Sequence, residues 1–104
     1  MEKTAFVTGP TGFIGSHLLP ALQKQGWRVK AFLHRSELPE GFDCDVVRGD
    51  ISDLSLLRDA LKGTSVLFHL ASALGGSIIH KEEFIRINAQ GTRTVLEAAK
   101  AAGV

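Results

Sequence analysis

The 104-residue chain has no tyrosine and only one cysteine, Cys44. A single cysteine excludes a disulfide within the chain and favours a reducing compartment, so we expect a cytoplasmic protein. Runs of apolar residues are short, and none approaches the ~20 residues that a membrane-spanning helix needs. The run that follows the N-terminal charges is also too short for the apolar core of a signal peptide. We therefore expect no membrane partner.

An excess of charge of either sign is missing too. Lysine and arginine number 12 and aspartate and glutamate 11, which leaves a formal net charge of +1. The basic residues are scattered, so nucleic acid is not expected as a partner. The histidines and the cysteine lack metal-ligand spacing, and we expect no metal site. A hydrophobic content of 44% and a charged content of 22% are typical of one globular domain over residues 1–104.

What the sequence does contain is an alternation of short apolar runs with segments of helical periodicity. The predicted strands lie at residues 5–7, 27–33, 45–48 and 65–70, and the predicted helices at 14–25, 53–62 and 82–102. No helical pattern lies between Leu33 and Val46, so that connection is predicted to be irregular. The order of elements and the lack of hairpin signals indicate an α/β fold with a parallel sheet.

Three glycines follow the first predicted strand in the stretch TGPTGFIGSHLL. Gly9 suits the tight turn into the helix, Gly12 lets backbone N–H groups approach a ligand, and Gly15 lets the helix lie close to the sheet. The start of that helix carries partial positive charge and unpaired donors, which suit a pyrophosphate. No Lys-Ser/Thr pair follows, which disfavours a mononucleotide loop. The motif therefore predicts a dinucleotide site.

The end of the second predicted strand bears on the choice of dinucleotide. An acidic residue there would hold the ribose 2′-hydroxyl of NAD, whereas an arginine suits the 2′-phosphate of NADP. The chain has Arg35 and Ser36 at this point, and Glu37 is the first carboxylate. These residues favour NADP, with NAD as the alternative. A solvated arginine without a ligand would give the same sequence.

Four segments taken together resemble the extended short-chain dehydrogenase/reductase superfamily, in its NAD-dependent epimerase/dehydratase-like branch. They are FVTGPTGFIGSHL, VVRGDISD, VLFHLASAL and INAQGTRTVLEAAKAAGV. The resemblance implies a Rossmann-type doubly wound parallel sheet, truncated at about four strands in the order 3-2-1-4, with helices on both faces. It also implies that the cofactor is bound at the first turn by Gly9, Thr11, Gly12, Phe13, Ile14 and Gly15.

The resemblance assigns further roles around the cofactor. Asp50 and Ile51 would border the adenine, with the carboxylate of Asp50 accepting a hydrogen bond from its amino group; a simple Asx turn is the alternative. Residues 71–73 (Ala71, Ser72 and Ala73) would line the ribose and nicotinamide side. Arg35 matches the position that recognises the 2′-phosphate in NADP-preferring members.

Other polar residues are expected to have structural roles. Asn88 falls on the apolar face of the last helix, so it should be buried, and its match in the superfamily pins the loop after the fourth strand. We expect this role rather than participation in proton transfer. His69 is expected to pack within its strand, and His17 and Cys44 are expected to have no catalytic duty.

The superfamily's chemistry depends on a Tyr-x-x-x-Lys pair, and the chain has no tyrosine. We therefore expect the N-terminal portion of an enzyme that moves hydride between nicotinamide and a carbonyl or alcohol carbon of a small-molecule substrate. By itself the chain should be inactive, with its fourth strand as an unprotected edge and its last helix available for a homodimer. A non-catalytic NAD(P)-binding regulator or sensor of the same superfamily is the alternative.

Overall fold

The computed structural model describes residues 2–73 and 80–104. Its elements alternate in the predicted order. They are β1 (Thr4–Thr8), α1 (Phe13–Lys24), β2 (Arg28–Leu33), β3 (Asp45–Arg48), α2 (Leu54–Leu61), β4 (Val66–His69), α3 (Lys81–Ile85) and α4 (Gly91–Ala102). A π-helical turn over Arg86–Gln90 joins α3 to α4.

The four strands form one parallel sheet in the order β3-β2-β1-β4. This confirms the predicted fold class and strand order. The central strand β1 is the most deeply buried, with Ala5, Phe6, Val7 and Thr8 at 0% exposure. Because all strands run the same way, their carboxyl ends lie along one edge of the sheet, where open α/β sheets bind ligands. β4, expected as an unprotected edge, is the outer strand, and its residues are exposed or half-buried.

Helices cover both faces of the sheet. Successive side chains of a strand point to opposite faces, so residues of β1 pack into two separate clusters. Phe6 of β1 packs into a cluster with Leu57 of α2 and Val95 of α4. Ala5 and Val7 pack into a second cluster on the other face. That cluster also holds Leu19 and Leu22 of α1 and Val29 of β2.

The connection between β2 and β3 is irregular, as predicted. Leu38 and Phe42 in this segment pack against the cluster on the α1 face, and so does Cys44. The segment therefore follows the surface of the domain. Burial among these apolar neighbours and the nearby Asp45 and Asp43 raise the pKa of the Cys44 thiol.

The last helical stretch differs from the prediction of one uniform helix from Glu82. In the π-helical turn the N–H of Gly91 donates to the carbonyl oxygen of Arg86, five residues earlier. Each such turn holds one more residue than an α-helical turn, so the segment before it is rotated relative to α4. Phe84 precedes Asn88 by four residues and would share its face in a uniform α-helix, yet it is 36% exposed, whereas Val95 is fully buried. Asn88, also predicted to be buried, is only half-buried.

Candidate functional site

A cavity of about 500 Å³ opens at the carboxyl edge of the sheet. It is bounded by the turn after β1 and by the ends of β2, β3 and β4, and the π-helical turn closes one side. Its lining residues are 9–15, 32–34, 36, 50, 51, 70–72, 86 and 87. The cavity thus brings together the predicted cofactor residues except Arg35 and Ala73.

The first glycine turn is shaped by two close approaches of backbone to backbone. Gly9 has a φ of +67°, and a Cβ there would lie 2.7 Å from the nitrogen of Ala71. A Cβ on Gly15 would overlap the carbonyl oxygen of Gly9 and the backbone of Pro10. Any larger residue at these two positions would separate the turn from α1 or from the loop after β4.

Gly12 has a different role, because nothing crowds it. Its φ is −74°, which any residue adopts, and a Cβ would meet only the Gly9 oxygen at an ordinary 3.5 Å. As the residue that caps the start of α1, it has no side chain to accept from the first N–H groups of the helix. Those donors, at residues that line the cavity, are left for a ligand.

Two apolar side chains stand at the mouth of the cavity. Phe13 is 82% exposed and Ile14 is 63% exposed. The ring of Phe13 meets the imidazole of His17 edge-on, with centroids 5.0 Å apart. His17 does not line the cavity itself; it contacts Phe13, which stands at the cavity mouth.

The segment after β2 is held by an arginine that the sequence did not single out. Nη1 of Arg48 donates to the carbonyl oxygens of His34 and Ser36, both at 3.1 Å. Nη2 of the same side chain donates to the carboxylate of Glu37 at 3.0 Å. His34 and Ser36 line the cavity, whereas Arg35 is exposed beside it. The carboxylate of Glu37 is therefore already paired.

Asp50 forms the Asx turn that was the alternative to an adenine contact, and it also faces the cavity. Its Oδ1 accepts from the N–H of Ser52 at 2.9 Å and from the hydroxyl of Ser52 at 2.7 Å, which is an Asx turn. The same oxygen accepts from Nη1 of Arg86 at 3.1 Å. These bonds, those from Ser52 first, hold the pKa of Asp50 at about 2. Asp50 also lines the cavity, with Oδ2 3.7 Å from Nε2 of His34.

Arg86 is a cavity residue that sequence reasoning missed. It lies in the π-helical turn, and its guanidinium bridges Asp50 to Glu83 on α3. Pairing with these two carboxylates raises the pKa of Arg86. The sequence offered no signal for it, because the apolar spacing of a helix says nothing about where a turn widens by one residue.

The loop after β4 is tied to the last helical stretch by Asn88. Its Oδ1 accepts from the N–H of Ala73 at 2.6 Å, and its Nδ2 donates to the carbonyl oxygen of Ala73 at 2.9 Å. One amide side chain thus satisfies both backbone groups of one residue. The rest of the predicted small-residue loop, over residues 74–79, lies outside the described residues.

His69 does more than pack, which corrects the expectation for it. The ring is half-buried, and both of its nitrogens have partners. Nδ1 lies 2.7 Å from the hydroxyl of Thr8, and Nε2 lies 2.9 Å from the hydroxyl of Thr92. Packing was expected because a histidine inside an apolar run shows nothing of the threonines that the fold brings to it.

Two other kinds of feature are absent from residues 2–73 and 80–104. Within these ranges, no three side chains of His, Cys, Asp or Glu come together as metal ligands. Within the same ranges, no helix has the length and hydropathy to cross a membrane.

The chain is similar to proteins of a known family. The model of the NAD dependent epimerase/dehydratase family matches residues 5–104. The chain is 39% identical to sterol-4-alpha-carboxylate 3-dehydrogenase, decarboxylating, of Homo sapiens, over 98% of this chain and 27% of that protein. It is 36% identical to ceramide reductase of Caulobacter vibrioides, over 93% of this chain and 31% of that protein.

A solved structure is similar in fold as well as in sequence. It is described as MoeE5 in complex with UDP-glucuronic acid and NAD, and it matches with a TM-score of 0.84 and 40% identity. The match covers 97% of this chain and 34% of that one. The chain thus spans about a third of the length of the relatives that it matches.

Proposed function

The chain belongs to the NAD dependent epimerase/dehydratase family, and on that premise we propose that it is the dinucleotide-binding part of an oxidoreductase or epimerase. The observation that carries the proposal is the first glycine turn. Gly9 and Gly15 allow backbone approaches that a Cβ would block, and Gly12 leaves the first donors of α1 uncapped. A pyrophosphate fits such a helix start, because it accepts several N–H bonds and carries negative charge.

The residues around the cavity fit the remaining parts of a dinucleotide. Asp50 and Ile51 would border the adenine, and Oδ2 of Asp50, which lies 3.7 Å from Nε2 of His34, would accept from its amino group. Ala71, Ser72 and Ala73 would lie along the ribose and nicotinamide side, held by Asn88. When bound, the cofactor would supply hydride transfer to and from a carbonyl or alcohol carbon, while the chain would bind and orient it.

We propose NADP as the preferred cofactor over NAD. NAD-binding units commonly hold the ribose 2′-hydroxyl with a carboxylate at the end of the second strand. Here the first carboxylate that follows β2 in the chain, Glu37, is paired with Arg48. Arg35 and Ser36 are left at that edge, and a guanidinium suits a phosphate.

A non-catalytic NAD(P)-binding regulator or sensor is the second candidate. The observation in its favour is the lack of tyrosine in the chain, because a tyrosine is the expected proton donor of this family's chemistry. Both candidates use the same cofactor site. A Tyr-x-x-x-Lys pair elsewhere in the gene product would support the enzyme.

Calorimetric titration with NADP and NAD, on the wild-type protein and on Gly12→Ala, tests the proposal. Because the backbone at Gly12 suits any residue, we expect the variant to keep its fold. Its methyl group would stand where the pyrophosphate must approach, so we expect affinity to fall at least about tenfold. If the wild-type protein showed no heat of binding with either cofactor, the proposal would be contradicted.

A further inference from the structure

Thr8 and His69 end two neighbouring strands at the edge that carries the cavity. The hydroxyl of Thr8 lies 2.7 Å from Nδ1 of His69. The same oxygen accepts from the N–H of Leu70 at 3.0 Å and from the N–H of Ala71 at 3.2 Å. The N–H of Leu70 is shared with the carbonyl oxygen of Thr8, 3.2 Å away. Thr8 is fully buried, so water does not compete for these bonds.

The hydrogen count at Thr8 decides which atom carries the proton. A hydroxyl has one proton and two lone pairs. Both lone pairs are taken by the N–H groups of Leu70 and Ala71, so the proton is directed at His69. Nδ1 of His69 must therefore be the acceptor, and it carries no proton.

The other side of the ring leads to the same assignment independently. The hydroxyl of Thr92 lies 2.8 Å from the carbonyl oxygen of Asn88, which can only accept. Thr92 therefore donates to Asn88, and its oxygen accepts from Nε2 of His69 at 2.9 Å. His69 is the neutral tautomer with its proton on Nε2. Burial lowers its pKa, which also favours the neutral ring.

The bonds thus form one directed chain from Thr8 through His69 and Thr92 to Asn88. Its first member immediately precedes Gly9, and its last member holds Ala73 with its side chain. The bonds to Thr8 hold the loop after β4 at the place where the backbone of Leu70 and Ala71 leaves no room for a Cβ on Gly9. The two loops that border the cavity are therefore joined at Thr8, whose hydroxyl is oriented by His69.

We propose that His69 is a positioning residue for the dinucleotide site, which fixes the hydroxyl of Thr8 and thereby clamps the loop after β4 against the first glycine turn. The inference rests on the proposed function, since it concerns the same site. His69 does not touch the cavity itself, and it acts through Thr8, Leu70 and Ala71.

Protonation of His69 would break the clamp. Nδ1–H and the hydroxyl of Thr8 would then both be donors, so Thr8 would have to turn its proton away. It would give up the bond from Ala71, or its share of the N–H of Leu70, which would keep the carbonyl oxygen of Thr8 as its acceptor. The groups that face the ring from β1 and α4 are the hydroxyls of Thr8 and Thr92, which do not titrate. Burial of the ring lowers the pKa of His69. Dinucleotide affinity should therefore hold above about pH 6.5, the pKa of an unfolded histidine, and fall as the pH drops through the lowered pKa of the folded state.

Three substitutions at one position separate positioning from packing. His69→Asn keeps an acceptor near Nδ1, His69→Gln keeps a donor near Nε2, and His69→Leu keeps only apolar volume. We expect His69→Asn to keep dinucleotide affinity within about threefold and to lose the fall at acid pH. His69→Gln and His69→Leu should lose at least about tenfold. Equal affinities for the three variants would overturn the inference.

A matched pair at Thr8 gives a second test. Thr8→Ser keeps the hydroxyl and Thr8→Val keeps the shape without it, so only the valine variant should lose affinity. Amide exchange should speed up chiefly at Ala71, because the N–H of Leu70 keeps its bond to the carbonyl oxygen of Thr8. Imidazole ¹⁵N NMR of the wild-type protein should show Nδ1 without a proton, and a proton on Nδ1 would contradict the inference. These two NMR readouts need no cofactor. A wild-type protein that binds neither NADP nor NAD would thus refute the proposed function, while the NMR data still decide whether the clamp exists.

Discussion

At the scale of the residue, Gly15 is the position at which a single methyl group has the clearest cost. A Cβ there would overlap the carbonyl oxygen of Gly9 and the backbone of Pro10, which cannot move aside as a side chain could. We expect Gly15→Ala to lower the free energy of unfolding by about 1–3 kcal/mol, as overpacking does in protein cores. Urea unfolding monitored by the fluorescence of Trp27 measures this.

Gly12→Ala is the matched control for that experiment. It adds the same methyl group three residues away, where it meets only an ordinary van der Waals contact. Its free energy of unfolding should stay within about 0.5 kcal/mol of the wild-type value. A loss as large as that of Gly15→Ala would mean that the turn is strained throughout, against the steric account of Gly15.

Asp50 carries a prediction about acid stability. Its pKa is about 2 in the folded state, below the value of about 4 in an unfolded chain. The stabilisation is therefore complete above about pH 4 and is lost as the pH falls towards 2. Because the side chain is 38% exposed, we expect no more than about 1 kcal/mol.

Urea unfolding at pH 5, 3 and 2 tests the role of Asp50. Asp50→Asn should be less stable than the wild-type protein at pH 5, and the difference should shrink at pH 2. Asp59→Asn is the control, because the side chain of Asp59 is 61% exposed on α2 and its ion pairs with Arg58 and Lys62 should add little stability at any pH. An unchanged gap between Asp50→Asn and the wild-type protein at all three pH values would contradict the assigned pKa.

At the scale of the element, the strands and the irregular connection could be predicted from the spacing of apolar residues. The run from Ala5 to Val7 became the core of β1, and the segment between β2 and β3 is irregular, as expected. The glycine turn could also be predicted, because the need for small residues at Gly9 and Gly15 is local. The strand order followed from the family resemblance.

The π-helical turn could not be predicted, for a physical reason. Apolar spacing reports which face of a helix is buried, but a change in hydrogen-bond spacing leaves no mark in residue type. The turn alters the site nevertheless, since it places Arg86 beside Asp50. In the same way, Arg48 and Thr92 found their partners only through contacts between elements that are distant in the chain.

Loss of the contact between Arg48 of β3 and the segment after β2 is expected to change the cofactor preference. Arg48→Met would free the carboxylate of Glu37 and release the carbonyl groups of His34 and Ser36. A free carboxylate near the ribose would repel a 2′-phosphate, so we expect the affinity ratio of NADP to NAD to fall about two- to fivefold. Calorimetry with both cofactors measures the ratio.

A double variant shows whether Glu37 causes the change. Adding Glu37→Gln to Arg48→Met should restore most of the ratio, while Glu37→Gln alone should leave it near the wild-type value. Arg93→Met is the control, since it removes a comparable exposed ion pair, with Glu97, on α4. If Arg93→Met moved the ratio as far as Arg48→Met, the effect would be general electrostatics and not the pairing of Glu37.

At the scale of the whole molecule, the chain offers a cofactor site without the expected proton donor. It has no tyrosine and spans about a third of the relatives that it matches. We predict that the 104-residue chain binds the dinucleotide but does not catalyse hydride transfer to a carbonyl compound. Incubation with NADPH and a panel of aldehydes and ketones, followed at the absorbance of the reduced nicotinamide, should show no steady rate. Sustained oxidation of NADPH that depends on a carbonyl compound would contradict this.

A crystal structure of the protein with NADP tests the central claim most directly. The claim is that small residues leave the first N–H groups of α1 uncovered for a diphosphate. We predict that the two phosphates lie against the backbone of residues 12–15, with the adenine towards Asp50 and Ile51. A complex in which the cofactor binds elsewhere, while the start of α1 stays bare or is covered by side chains of the chain itself, would contradict the account.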